Sequence, residues 1–340
     1  AVPAFELDFW GRVASLSESA KASYLASEEA QRAFRLSLVA NVADAYLSQK
    51  EAEERLALAR TTLASREETR GLIAKRRDAG LAGDLDFLAA DSAVQTAQAE
   101  TASLARQRAQ AENFLVSLAG MPSLPPSADW PQGVPLAQQD IVAELGAGIP
   151  AEVLLRRPDI RAAEQRLVAA NAHIGAARAA FFPRISLTAA LGVASSGLSG
   201  LFDGGSGAWT FQPALALPLF DSGRNRANLD LAEARRNIAV AEYEKAVQQA
   251  FREVADGLAA RAALADQLAA QQAQEATQQR RLAIVEARYR QGLSSYLEVL
   301  DAQRELFAAQ QGTLQTRRAL LSARVRLYAA LGGGADDGGI

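Results

Sequence analysis

Cysteine is absent from the 340 residues, and histidine and methionine occur once each, as His173 and Met121. Without cysteine there are no disulfides, thiolate metal sites or cysteine nucleophiles. One histidine cannot make a two-histidine metal site, and one methionine cannot line a thioether path for copper. Charge is nearly balanced, 36 basic residues against 39 acidic for a net −3, so nothing points to nucleic acid as a partner. No run of roughly 18 apolar residues reads as a membrane-crossing helix, and residue 1 does not open a signal peptide. At 49% hydrophobic and 22% charged, the composition is that of a folded protein. A soluble helical protein, or one that crosses a bilayer by strands, is what these exclusions leave.

Proline is missing from residues 4–121 and again from 219–340. Because proline breaks helix interiors, two such runs predict very long helices, and their wealth of Ala, Gln, Glu, Arg and Leu agrees. Each run has one break: Asp78-Ala79-Gly80-Leu81-Ala82-Gly83-Asp84 in the first, Arg290-Gln291-Gly292-Leu293-Ser294-Ser295 in the second. Each therefore reads as a long helix, a tight turn and a shorter helix folded back. The first arm, Arg12 to Ala79, spans roughly 100 Å at the α-helical rise, more than a globular domain needs. An apolar stripe at 3/4 spacing passes Val39, Val42, Tyr46, Leu56 and Leu63 in one arm. In the other it passes Val247, Phe251, Val254, Leu258, Leu268, Leu282, Val285 and Tyr289. Such stripes are helix-packing seams, of a long coiled coil or of an ordinary bundle.

The two runs are copies. Shifted by 212 residues, Gly11-Arg12 falls on Gly223-Arg224, Val42-Ala43-Asp44 on Val254-Ala255-Asp256, and Gly80-Leu81 on Gly292-Leu293. Leu85, Leu88 and Ala90 then meet Leu297, Leu300 and Ala302, and Leu115 and Gly120 meet Leu327 and Gly332. A constant offset through helix, turn and helix predicts two copies of one structural unit, residues 1–120 and 151–333. The Pro-rich stretch 121–150 is the expected linker, and 334–340 a tail. The second copy carries a front half, 151–222, with no counterpart in the first, so roughly 60 residues are expected upstream of residue 1.

Residues 184–194 alternate: Ile185, Leu187, Ala189, Leu191 and Val193 against Arg184, Ser186, Thr188, Ala190, Gly192 and Ala194. Residues 209–219 do the same, with Trp209, Phe211, Pro213, Leu215, Leu217 and Leu219 on one side. Period 2 predicts two strands, joined through the Gly/Ser-rich Ser195–Ala208 as a hairpin. Phe5-Glu6-Leu7-Asp8-Phe9 is a third strand candidate. The hairpin strands suit a tilted membrane-crossing strand of about 9–11 residues, and Trp10 and Trp209 sit where an aromatic girdle belongs. A soluble hairpin with one buried face fits the alternation equally. In lipid, an open edge is forbidden, so several subunits must share any barrel, with a fourth strand per subunit expected before residue 1.

No enzyme is legible. His173 reads as a packing or surface residue, no base stands near Ser195 or Ser196, and Gly204-Gly205-Ser206-Gly207 lacks the lysine of a phosphate loop. No cofactor and no metal site is expected.

Leu155-Arg156-Arg157-Pro158-Asp159-Ile160, Ala163-Glu164-Gln165, Ala169-Ala170-Asn171, Ile174-Gly175 and Phe182-Pro183-Arg184-Ile185-Ser186-Leu187 resemble a hallmark of the TolC-like outer-membrane efflux proteins. Within them the chain is similar to the NodT-type channels of resistance-nodulation-division pumps. Phe5 to Val13 resembles a second family signature, and Tyr289 to Gln303 a third. The resemblance implies a mainly α fold with a β-barrel portion. Long antiparallel coiled-coil helices of a homotrimer form an α-barrel across the periplasm, and strands from the three subunits share a 12-stranded transmembrane β-barrel. It also implies an outer-membrane lipid environment, a periplasmic adaptor protein and an inner-membrane pump as partners.

The turns hold the implied adaptor-docking tips: Gly80, Leu81, Gly292, Leu293 and Ser294. As plain structure, glycine ends a helix there, Asp84 or Ser295 caps the next, and Ser295-x-x-Glu298 is a capping-box pattern. Glu298 and Asp301 match the acidic positions with which the family rings its closed entrance, Asp84 and Asp86 being weaker candidates in the first copy. Rings of three carboxylates favour cations. The same side chains also suit a solvated helix start. Tyr289 matches a tyrosine that holds the entrance shut. Where the family sometimes has a latch arginine this chain has Ser294, with Arg288 or Arg290 as substitutes. The function expected is a passive exit duct for drugs or other small molecules. A soluble coiled-coil scaffold, or the same channel serving protein secretion or metal efflux, are the alternatives.

Overall fold

The computed structural model describes residues 2–121, 133–139, 141, 151–200, 202 and 204–333. Its elements are β1 (Val2–Leu7), α1 (Arg12–Asp78), α2 (Asp84–Ala119), α3 (Pro158–Ala179), β2 (Arg184–Val193), β3 (Gly207–Ala216), α4 (Arg224–Arg290) and α5 (Tyr296–Ala330). Short 3-10 turns occupy Leu136–Gln138, Ala151–Arg156 and Leu198–Gly200. Two long helices of 67 residues each are followed by shorter ones of 36 and 35. The starts Arg12 and Arg224, Asp84 and Tyr296, and the ends Asp78 and Arg290 all coincide under the 212-residue shift. Most of 121–150, and all of 334–340, lie outside the described residues.

All four long helices end in the same way. Gly80, Gly120, Gly292 and Gly332 adopt positive φ, between 65° and 89°. The N–H of Gly80 donates to Arg77 O at 2.8 Å and that of Leu81 to Arg76 O at 2.7 Å; Gly292 and Leu293 repeat the pair with Tyr289 and Arg288 at 3.0 and 2.9 Å. This is the Schellman arrangement, which needs a residue free to turn left-handed. The helix starts differ. Ser295 forms a full capping box with Glu298, whereas Gly83 offers no side-chain cap to α2.

By their contacts, the residues form two compact units that cut across the duplicated halves. One comprises residues 1–34 and 151–250, the other 35–150 and 251–340.

In the first unit the sheet order is β1-β2-β3, antiparallel throughout. The paired residues of the hairpin span 184–216 rather than 184–219. Pairing stops at Arg184↔Ala216 because Pro183, next along β2, has no N–H to offer, and Pro218 has none either. It begins earlier than the alternation suggests, at Val193↔Gly207, with Ala194 N–H bonded to Ser206 O just beyond. β1 ends at Leu7 rather than Phe9, because the Asp8 carboxylate turns to accept the N–H groups of Val13 and Ala14 at 3.0 and 2.7 Å and so caps α1. Asp221 caps α4 likewise through Gly223 and Asn225. Alanine dominates the buried side chains of the helices here: Ala22, Ala26, Ala163, Ala169, Ala176, Ala232 and Ala239. Small side chains let backbones close up. A Cβ on Gly175 would stand 2.6 Å from the Ser15 hydroxyl, and Ser19 donates to Ala169 O at 2.9 Å.

The second unit holds three apolar clusters: Leu47 with Leu136, Leu321 and Val325; Leu56 with Ala59 and Leu104; and Ile73 with Ala90, Tyr296 and Val299. Leu136 is docked by its N–H onto Glu54 Oε1 at 2.7 Å, and Arg324 donates to Ile141 O at 3.4 Å. Of the expected seams, Leu56 is fully buried and Leu282, Val285 and Tyr289 are partly so. Val39, Phe251 and Leu258 are 47–58% exposed, because no described residue covers the stripe at those turns.

Candidate functional site

The sheet has two unlike faces. Antiparallel pairing stacks Phe5 beside Leu187, Leu7 beside Ile185, Leu187 beside Pro213, Ala189 beside Phe211, Leu191 beside Trp209 and Ile185 beside Leu215. Period 2 puts all of these on one face, and Glu6, Ser186, Thr188, Ala190, Gly192, Thr210, Gln212 and Ala214 on the other. The apolar face is not covered: Leu191 is 87% exposed, Trp209 74% and Leu215 67%, and β3 is exposed along its whole length. A soluble hairpin would bury that face. Exposed aromatics also collect where strands meet helices, at Phe9, Trp10, Phe181, Phe182 and Phe220. Trp10 stacks on Phe182 at 4.6 Å and donates its indole N–H to Pro183 O at 2.9 Å. Among the described residues no helix is long and apolar enough to cross a membrane. Any crossing by these residues therefore falls to the sheet.

The helical turns are the second candidate region. Leu81 and Leu293, and one turn further Leu85 and Leu297, are equivalent under the shift and all 64–80% exposed. Gly80 and Gly292 have open space where a Cβ would be, so among the described residues it is the left-handed backbone, and no close neighbour, that calls for glycine. Ser294 is half-buried and Ser295 exposed. Just behind the turns, Tyr289 is partly buried on the cluster of Ile73, Ala90, Tyr296 and Val299, its ring 5.7 Å from that of Tyr296. Burial pushes the Tyr296 hydroxyl up to about 12. Arg76 lies over the Tyr289 ring at 5.4 Å and Arg77 over Phe87 at 4.2 Å. Of the substitutes for the latch, Arg288 donates to Leu293 O at 3.5 Å and acts electrostatically on Glu298, and Arg290 donates to Glu286 O of its own helix at 3.3 Å.

The acidic pair divides. Glu298 is exposed, accepts the Ser295 N–H at 3.1 Å and, chiefly through that bond, has its carboxyl held below the ordinary range. Asp301 is half-buried and clamped: Oδ2 takes Arg281 Nη2 at 2.8 Å and Oδ1 takes Arg304 Nη2 at 2.6 Å. Asp84 and Asp86 sit in the first turn of α2, where carboxylates suit the helix dipole. His173 is exposed on α3. Arg76, Arg77, Arg281 and Arg304 were not among the residues singled out from the sequence. Arg304 stands three residues after Asp301, a spacing that does signal a pair. The other three make contacts across helices, which no local spacing encodes.

The family pattern described as outer membrane efflux protein matches residues 3–121 and 149–333. The toluene efflux pump outer membrane protein TtgF of Pseudomonas putida is 52% identical over 333 residues, which are 98% of this chain and 68% of TtgF. The cation efflux system protein CusC of Escherichia coli is 44% identical over 330 residues, 97% of this chain and 71% of CusC. Among solved structures, a membrane protein from Pseudomonas aeruginosa superposes with a TM-score of 0.90 at 49% identity, covering 99% of this chain and 75% of the other. A bare apolar sheet face, duplicated helical hairpins and a match along nearly the whole length agree with one another: the chain belongs to the outer membrane efflux protein family.

Proposed function

We propose that this protein is the exit duct of a tripartite efflux pump, a channel of the outer membrane that passes small molecules from periplasm to exterior. One observation carries the reading. Among the described residues, a three-stranded sheet with an exposed apolar face and two unpaired edges is joined to long helical hairpins, none of them apolar enough to cross a membrane. Lipid covers such a face, but unpaired edges are not tolerated in hydrocarbon, so strands of other subunits must meet them. Strands of three chains then meet to close one shared barrel, as the family resemblance implies. Their helices close an α-barrel in which the outward stripe of Val39, Phe251 and Leu258 finds its partner on a neighbouring chain.

Residues 1–120 and 151–333 are two copies of one structural unit, 121–150 is the linker between them and 334–340 a tail. Support for this lies in element boundaries that repeat at one offset. Gly80, Leu81, Gly292, Leu293 and Ser294 form the tips onto which a periplasmic adaptor docks; exposed leucines beside them supply the apolar surface. Glu298, Asp301 and Tyr289 line the entrance. The duct hydrolyses nothing, and its energy comes from the inner-membrane pump. Metal ions are a second cargo, favoured by the likeness to CusC.

Detergent-solubilised mass together with planar-bilayer conductance tests the reading. A trimer that conducts is expected. A water-soluble elongated rod without conductance overturns it in favour of a coiled-coil scaffold.

A further inference from the structure

A carboxylate at a channel entrance attracts cations only while its charge is uncompensated. Asp301 does not meet that condition. One of its oxygens is paired with Arg281, which reaches over from α4, and the other with Arg304, one turn along α5. Among the described residues, the other polar groups in contact with this triad are Glu305, whose Oε1 lies 4.0 Å from Arg304 Nε, and the uncharged Gln278, 3.5 Å from Arg281. Counting Glu305, two cations face two anions; without it, two face one. On either count the level of Asp301 carries no negative excess. Glu298 is different: its hydrogen bonds are those of the capping box, and Arg288, the cation that acts on it, forms no salt bridge with it among the described residues.

We infer that Arg281 and Arg304 are specificity-determining residues of the entrance: they mask the Asp301 carboxylate, leave Glu298 as the ring that attracts cations, and let anionic and zwitterionic solutes past the Asp301 level. The inference rests on the proposal that Glu298 and Asp301 line the entrance. It does not need the pairs to be strong. Both are partly exposed and contribute little to stability, but a cation within 3 Å of each oxygen compensates the charge whether or not it stabilises the fold.

The test is made on channels purified from outer membranes and placed in planar bilayers. Reversal potential in a KCl gradient and block by the trivalent cation hexamminecobalt are read at low salt. The variants are E298Q, R281Q/R304Q, and R281Q/R304Q/D301N. R281Q/R304Q is expected to shift selectivity toward cations and to lower the blocking concentration about tenfold. Adding D301N is expected to abolish that gain. The single variant R304Q, at an exposed side chain, is expected to shift in the same direction by less. If E298Q alters selectivity while R281Q/R304Q and R304Q behave as the parent, or if the gain survives D301N, the inference is overturned and the entrance reading stands. If no variant changes selectivity or block in a trimer of normal size, the entrance reading itself falls.

Discussion

Ser295 and Glu298 exchange hydrogen bonds at the start of α5, each satisfying a backbone N–H that the helix leaves unpaired. Ser295→Ala is expected to destabilise the protein by about 1 kcal/mol in denaturant unfolding. The Glu298 carboxyl sits below its ordinary value of 4.5 in the folded state, so it binds protons less readily there than in the unfolded chain. Its contribution is therefore complete above that ordinary value and is lost as pH falls through the lowered one. Glu298→Gln is expected to flatten the decline of stability over that acid range, seen in unfolding midpoints collected as pH is lowered. Gly292 has φ +75° and open space around it, so Gly292→Ala meets no atom but forces a left-handed alanine. The expected cost is about 1 kcal/mol, with Gly292→Asn costing less because asparagine tolerates that conformation. Equal stabilities for the two would count against the turn being conformationally demanding.

At the level of elements, the alternation along 209–215 places neighbours on opposite faces of β3. Phe211 lies on the apolar face and Gln212 on the other. An arginine on a lipid-facing strand position costs about 2–4 kcal/mol near the bilayer centre. Phe211→Arg is therefore expected to reduce the heat-modifiable assembled form in outer-membrane fractions, and Gln212→Arg to leave it near normal. In the second unit Asp44 of α1 receives Arg326 at 3.1 Å and Arg318 at 3.8 Å, while Arg318 also holds Glu51 at 2.8 Å. Burial opposes ionisation of Asp44. The nearby Ser322 hydroxyl, which is not in full hydrogen-bond geometry, and the two arginines outweigh it, and the carboxyl lies below its usual 3.8. Asp44→Asn is expected to cost on the order of 1–2 kcal/mol near neutral pH. The difference from the parent should shrink as pH falls below the ordinary carboxylate value and vanish only once pH has passed the lowered one, where the folded parent's Asp44 is protonated too.

The helices and their turns were legible because Gly80, Gly292 and the proline-free runs act locally, through φ and through missing N–H groups. The strands were legible in kind but shifted at their ends. Pro183 and Asp8 decide where pairing stops, and both act on a partner segment rather than on the alternation itself. Least legible were the side chains that cross between helices. Nothing in the spacing of Asp301 announces Arg281, twenty positions away. The apolar stripe was visible at Val39 and Phe251, yet it does not say whether its partner belongs to the same chain.

For the whole molecule, β1 and β3 each present an unpaired row of N–H and C=O groups among the described strands, beside an apolar face that water cannot favourably wet. Such a sheet is not stable as the property of one chain. In a trimer, folding of the sheet and association become one equilibrium, and mass action governs both. The melting temperature of the solubilised protein is expected to fall on dilution, while helical hairpins alone would melt independently of concentration. The same coupling sets a threshold in the cell. Protomers made slowly spend longer alone, with open edges exposed to proteases and to one another, so halving synthesis is expected to lower the yield of assembled channel by more than half.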